Sequence, residues 1–411
     1  MKRKIFKIVA YWFFWSFILI LYQQIVTNRF FLKKPDTALS WTVFETQEYS
    51  WNNRPYLLKD FLNQHVAWDS EFYLAIADKG YDNDLVRVAG GRGQEYSLNY
   101  AFFPLYPLMI RVFYYPFIFL EKLRILSHIE VLVLSGVVVS LLGTLLGFIS
   151  FYLFLRNYFS DSEAFRGIFY FSIFPSAFFM GEVYTEGLFC GLFFLSLLLV
   201  VKKKRWLSAV STSLLFLTRP AGLMMIFFML LEWLDFKEFI NDLKSGNFIK
   251  KLTEFIPVLL PVLVFLIWKF SPLGYRFEFV QFSFFGRQGI NILDSLRNWK
   301  DALFLVLFGG NMPTRIYYSI EFLIMIIAIL SFFIEAKKFL SLSILGLVLF
   351  LFSFFSGVAQ GMHRYLLFTP TIFTMLMKTG KNEVLDRVWS ILSILIFGML
   401  SLLFSFDMWA G

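Results

Sequence analysis

The chain is a succession of apolar runs separated by short polar breaks. The runs fall at about 8–25, 131–155, 167–181, 187–201, 206–218, 221–234, 253–270, 316–334, 341–357, 365–377 and 388–406. A helix needs roughly 20 apolar residues to cross a bilayer. The pattern therefore predicts an all-α bundle of about eleven transmembrane helices, the shorter ones tilted or extended by flanking residues. The segment 101–120 is also apolar, but Pro104, Pro107, Arg111 and Pro116 break it. It is expected to be buried in protein or to lie at the interface rather than cross. No repeat of 20 to 50 residues and no linker divides the chain, so 1–411 reads as a single membrane domain, with residues 27–130 a first extracytoplasmic loop carrying juxtamembrane helices.

Composition agrees with the pattern. Hydrophobic residues make up 58% and charged residues 16%, against about 25% charged in soluble domains, and the mean hydropathy is +0.66. The 56 phenylalanines suit lipid-facing packing, and equally a genome biased towards Phe, Ile, Lys and Asn codons. The net charge of +9 does not indicate nucleic acid. Its carriers cluster in short loops such as 202–205 and at the N-terminus, the positive-inside distribution of a membrane protein. Placing the N-terminus, 202–205, 235–251, 337–338 and 378–387 in the cytoplasm lets the eleven runs alternate. The loop 27–100 is then outside, and with eight Lys/Arg against ten Asp/Glu it lacks the positive bias of a cytoplasmic loop. The first apolar stretch is long for a signal peptide and no small-residue cleavage site follows it, so an uncleaved first helix is expected. The single cysteine, Cys190, excludes an intramolecular disulfide and a cysteine metal site.

Candidate chemistry gathers on the outer side. In Trp68-Asp69-Ser70-Glu71-Phe72-Tyr73 the apolar positions 72, 73, 76 and 77 have helical spacing, and Gly80 is placed to end the helix. Asp69 at the helix start is either a cap or a general base at the membrane surface. Two carboxylates, Glu182 and Glu186, stand between apolar runs and require pairing or solvation. Arg219, in Leu217-Thr218-Arg219-Pro220, either binds a phosphate or neutralises one of those carboxylates. His363 and Arg364 form a further polar pair on the same side. No GxGxxG, Walker A, HExxH or CxxC pattern occurs, so no nucleotide-binding fold is supported. No metal or other cofactor is expected.

Trp68-Asp69, Phe72, Ile76-Ala77, Gly80-Tyr81 and Ala101-Phe102-Phe103-Pro104-Leu105 together resemble the first-loop signature of the PIG-V-like mannosyltransferases. That family includes the enzyme adding the second mannose to GPI anchors and many prokaryotic relatives. Tyr184-Thr185-Glu186-Gly187-Leu188-Phe189 and Leu217-Thr218-Arg219-Pro220-Ala221-Gly222 are similar to two further elements of it, in the right order, so the resemblance covers about 60–225. His363-Arg364-Tyr365 extends it weakly. The resemblance implies a GT-C type glycosyltransferase, here a prokaryotic member in the plasma membrane. It would invert the anomeric centre while moving a sugar, mannose by analogy, from a polyprenyl-phosphate donor to a glycan or glycolipid acceptor. Asp69 would be the base. Arg219, His363, Arg364, Glu186, Tyr184 and Trp68 would bind donor phosphate or substrate. The competing readings are a transporter or flippase of a lipid-linked saccharide, which tends to show paired repeats, and a membrane subunit without catalysis.

Overall fold

The computed structural model describes residues 2–50, 54–57, 61–83, 85–91, 94–233, 253–287 and 289–411. The 235–251 stretch expected in the cytoplasm lies outside the described residues. Among the described residues four helices are long and apolar enough to cross a membrane: Arg3–Arg29, His128–Leu155, Met312–Ala336 and Glu383–Ser405. A fifth apolar segment is bent, either a broken span or a re-entrant hairpin. Ile256–Lys269 and Pro272–Phe285 meet at 73°, because Pro272 offers no amide to continue the ladder and Ser271 instead caps the second half by accepting from the Gly274 amide. Thr185–Val201, Pro220–Trp233 and Leu340–Phe354 are shorter apolar helices.

The outward faces identify the solvent. Phe13, Phe14, Phe17 and Ile18 of the first helix and Val388, Ile391 and Leu395 of the last are each about half exposed or more. Patches of this kind are foreign to the surface of soluble monomers and ordinary against lipid. The chain is a multi-pass integral membrane protein of helical architecture. Not every apolar run becomes one long helix. The run 365–377 divides at Thr369-Pro370 into Met362–Leu366 and Pro370–Thr379, and residues 370–377 are buried within the protein. The run 167–181 divides at Pro175 between Asp161–Ser172 and the 3-10 turn Ala177–Gly181.

The segment around Pro104 forms the helix Leu105–Lys122. Tyr106 and Ile110 are wholly buried, while Leu108, Val112, Tyr115 and Phe119 make an exposed apolar stripe. In the first loop, strands β1 (Val88–Gly91) and β2 (Gln94–Ser97) pair antiparallel, with Val88 opposite Ser97. The loop is anchored by its own apolar cluster. Tyr56, Phe72, Tyr73 and Ile76 pack with Tyr106 and Ile110 and with Val133 and Val137 of the His128–Leu155 helix.

That helix also packs very closely on Thr185–Val201. A Cβ on Gly143 would lie 2.5 Å from the Gly187 carbonyl oxygen, and one on Gly191 2.6 Å from that of Gly143. Small residues let the two backbones touch, which fixes the height of Glu186 in the bundle. Tyr184 and Glu186 sit at one end of Thr185–Val201 and the basic turn 202–205 at the other.

Candidate functional site

Asp69 occupies the N-cap position of the helix Ser70–Lys79. Residues 72–77 of this helix are all buried, and Gly80 ends it with φ of 89°, a conformation that favours glycine. The helix is thus held against the bundle along most of its length, and Asp69 is fixed with it. Its carboxylate does not cap the helix, since no side-chain capping bond is made. The Asp69 amide donates to the Tyr184 hydroxyl at 3.1 Å, which ties the start of the helix to the head of Thr185–Val201. Trp68, immediately before, has φ of 50°, a strained setting for a bulky residue. It is held by its indole N–H donating to the Met408 carbonyl at 3.2 Å and by edge-on packing with Trp41 and Trp409.

The Asp69 side chain, 31% exposed, faces a cavity of about 1660 Å³ that Trp68, Tyr73, Arg219, Arg287, Arg364 and Tyr365 also line. Helical position leads one to expect a lowered carboxyl pKa for Asp69. The structure reverses this. Burial in the cavity wall raises it above the usual carboxylate range, partly opposed by the guanidiniums of Arg364, Arg287 and Arg219 and supported by Glu186.

Arg219 lies in extended conformation just before the 3-10 turn Pro220–Met224. Its Nη1 donates to Glu186 Oε1 at 2.6 Å, and its guanidinium lies 4.8 Å from the centre of the Tyr365 ring. Arg364 donates to the same Glu186 oxygen twice, from Nε at 2.9 Å and Nη2 at 2.7 Å. Its Nη1 donates to a main-chain oxygen of Gly411 at 2.9 Å, and its Nη2 is 3.9 Å from the Asp69 carboxylate. Glu186 is fully buried. One carboxylate thus neutralises part of two cations and sets both beside Asp69. Among the described residues Nε and Nη2 of Arg219 donate to nothing, so this cation keeps free hydrogen-bonding capacity where Arg364 has little.

Sequence reasoning did not single out Arg287. It follows the helix Pro272–Phe285 and the αL residue Gly286, donates from Nη1 to the Tyr365 hydroxyl and lies 5.7 Å over that ring. Tyr365 therefore organises two arginines, Arg219 and Arg287, at the cavity wall. The only signal in the sequence is a lone basic residue in the polar break Gly286-Arg287-Gln288-Gly289.

The other expected site residues fall behind this wall. Tyr184 is 1% exposed and acts through the Asp69 amide. Glu186 acts through the two arginines. His363 is 1% exposed and lies outside the cavity lining. Its amide donates to Glu321 Oε2 at 2.9 Å, its Nδ1 lies 3.1 Å from the same oxygen, and its Nε2 is 2.9 Å from the Ala410 carbonyl. Glu321, another residue missed, also accepts from the Gly361 amide at 2.6 Å and the Tyr317 hydroxyl at 2.7 Å. This network holds the turn that presents Arg364. Glu182 is committed elsewhere, accepting from Gln23 at 2.8 Å and facing His65 Nδ1 at 2.9 Å, all three buried.

Residues 5–288 match the family model described as Mannosyltransferase (PIG-V). No curated protein matches the chain significantly. Among solved structures, the archaeal oligosaccharyltransferase AglB from Archaeoglobus fulgidus, determined with an inhibitory peptide and a dolichol-phosphate, is similar over 96% of this chain. The identity is 12% and the TM-score 0.43, and the match covers 55% of AglB. The chain spans about half the length of that protein.

Proposed function

The chain belongs to the PIG-V mannosyltransferase family, a membrane glycosyltransferase, and from that premise we propose that it moves a sugar, with mannose the leading candidate, from a polyprenyl-phosphate donor to a hydroxyl of a glycan or glycolipid acceptor. The reaction takes place on the extracytoplasmic side with inversion at the anomeric carbon. The observation that carries this reading is the joining in one cavity wall of a carboxylate that accepts no hydrogen bond among the described residues, Asp69, with three guanidiniums, Arg219, Arg287 and Arg364.

A single displacement needs those two functions and little else. The acceptor oxygen forms a bond to the anomeric carbon, and its proton passes to the Asp69 carboxylate. The bond from that carbon to the phosphate oxygen breaks, and its electron pair leaves with the phosphate. General-base help contributes about 10²–10⁴-fold. Preorganised cations aimed at the departing phosphate supply an electrostatic part, and planar guanidiniums suit bidentate contact with phosphate oxygens. Arg219 and Arg287 are the phosphate contacts in this account. Arg364, saturated by Glu186 and Gly411, positions Asp69. Much of the remaining lining is apolar, with Phe216, Phe265, Trp268, Phe277 and Phe285 among it, interspersed with polar side chains such as Glu45, Lys269, Glu278 and Gln281. Such a lining beside three cations fits an amphipathic donor, a charged head on an isoprenoid chain. It explains why no nucleotide fold is needed.

The test is direct. Purified protein is given polyprenyl-phosphate mannose and an acceptor extract, and release of polyprenyl phosphate is followed. Release that depends on acceptor supports the reading. Absence of release with this donor, alongside release from a nucleotide sugar, contradicts it.

A further inference from the structure

Three tyrosines pack edge-on around the start of the Asp69 helix. The Tyr73 ring lies 5.2 Å from that of Tyr106 and 6.1 Å from that of Tyr184, with Phe102 at 5.1 Å on another side. Two of the three hydroxyls are committed to the protein. Tyr184 accepts from the Asp69 amide. Tyr106 shares a hydrogen bond with the Ser140 hydroxyl at 2.8 Å and donates to the Gly136 carbonyl at 3.1 Å. The Tyr73 hydroxyl has no hydrogen-bond partner among the described residues, although Tyr73 is only 5% exposed. What access Tyr73 has is to the cavity, whose wall it forms together with Asp69, Arg219 and Arg364.

The setting decides what the hydroxyl does. Tyr73 follows Asp69 by four residues, so the two side chains share one helix face. Its hydroxyl lies within electrostatic reach of Asp69, Glu186, Arg219 and Arg364. Burial, with the Asp69 and Glu186 carboxylates, pushes its pKa up, so it remains a neutral donor rather than a phenolate. The nearby Glu186 oxygen is already taken by three N–H groups. The fitting acceptor is an anion entering between the arginines.

We propose that Tyr73 is a substrate-contacting residue whose hydroxyl donates a hydrogen bond to a phosphate oxygen of the bound lipid phosphate. The proposal rests on the donor class argued above. No proton is transferred in this contact. As the bond between anomeric carbon and phosphate oxygen breaks and negative charge grows on the phosphate, the hydrogen bond strengthens, while the acceptor proton goes to Asp69. The ring, locked by Tyr106, Tyr184 and Phe102, cannot turn away, so the donor is preorganised.

The experiment measures binding of a long-chain polyprenyl phosphate and, in parallel, of the uncharged polyprenol, to wild type, Tyr73→Phe and Tyr106→Phe, with inorganic phosphate as competitor. Wild type is expected to prefer the phosphate. Tyr73→Phe should lose roughly tenfold in phosphate affinity, the scale of one hydrogen bond to a charged group, with polyprenol binding and melting temperature unchanged. Tyr106→Phe, whose hydroxyl serves the fold, should lower the melting temperature and keep the phosphate preference. Competition by inorganic phosphate would show that the headgroup alone is recognised, whereas no competition would show that it is recognised only on its lipid; both agree with the contact. A wild type indifferent to the phosphate overturns the donor class itself. A wild type that prefers it while Tyr73→Phe binds equally well, or while Tyr106→Phe loses as much, overturns the role of Tyr73 alone.

Discussion

Arg364 Nη2 lies 3.9 Å from the Asp69 carboxylate while two of its N–H groups are fixed on Glu186. Three distant parts of the chain, the first loop, the head of Thr185–Val201 and the turn at 361–364, are coupled by this arrangement. Removing one partner of such a buried network leaves an uncompensated charge, at a cost of about 3–5 kcal/mol. Glu186→Gln should therefore lower the melting temperature in detergent and, by releasing both arginines, weaken donor binding as well. A Glu186→Gln protein with unchanged melting temperature and unchanged KM would remove Glu186 from the account.

Arg219→Lys keeps the charge but loses the planar fork and the stacking on Tyr365. We expect the KM for the lipid donor to rise about tenfold or more, the scale of one lost charge-assisted contact, with expression retained. A purely structural pairing with Glu186 predicts instead that Arg219→Ala fails to accumulate while Arg219→Lys has the wild-type KM.

The raised Asp69 pKa sets a pH dependence. A base must be ionised, so activity is present above that pKa and falls as the pH drops through it. Because the Arg287 guanidinium favours the ionised carboxylate, Arg287→Gln should raise the Asp69 pKa further and move the acid limb of the kcat/KM profile to higher pH. A shift to lower pH contradicts the assignment.

Topology is testable without activity. In a Cys190→Ala background, Lys33→Cys and Lys202→Cys place thiols at exposed positions of the first loop and of the basic turn. An impermeant maleimide applied to intact cells should label the first and not the second. Equal labelling of both from outside would put the site on the wrong side.

The sequence alone reveals the helix at 70–79 and its glycine end, because the apolar positions 72, 73, 76 and 77 have helical spacing and Gly80 suits the φ of 89°. It also offers the Arg219–Glu186 pairing as one of two readings, since lone charges in apolar surroundings demand partners. Other features depend on tertiary approach and leave no local trace. Arg287 meets Tyr365 only through the bend at Pro272, and Glu321 looks like an isolated carboxylate in the Met312–Ala336 helix until the 361–363 turn is seen to cover it. The runs at 167–181 and 365–377 read as continuous because hydropathy ignores the breaks at Pro175 and Pro370, which divide them into shorter pieces.

Sugar transfer as proposed requires Asp69 as the proton acceptor, and Asp69→Asn conserves its shape while removing the basic oxygen. The decisive measurement is the single-turnover rate of sugar transfer by Asp69→Asn at saturating donor, alongside donor affinity and melting temperature. We predict a rate lower by roughly 10²-fold or more, with donor binding and stability close to wild type. A rate equal to wild type would contradict the account and leave Asp69 a structural residue at the head of its helix.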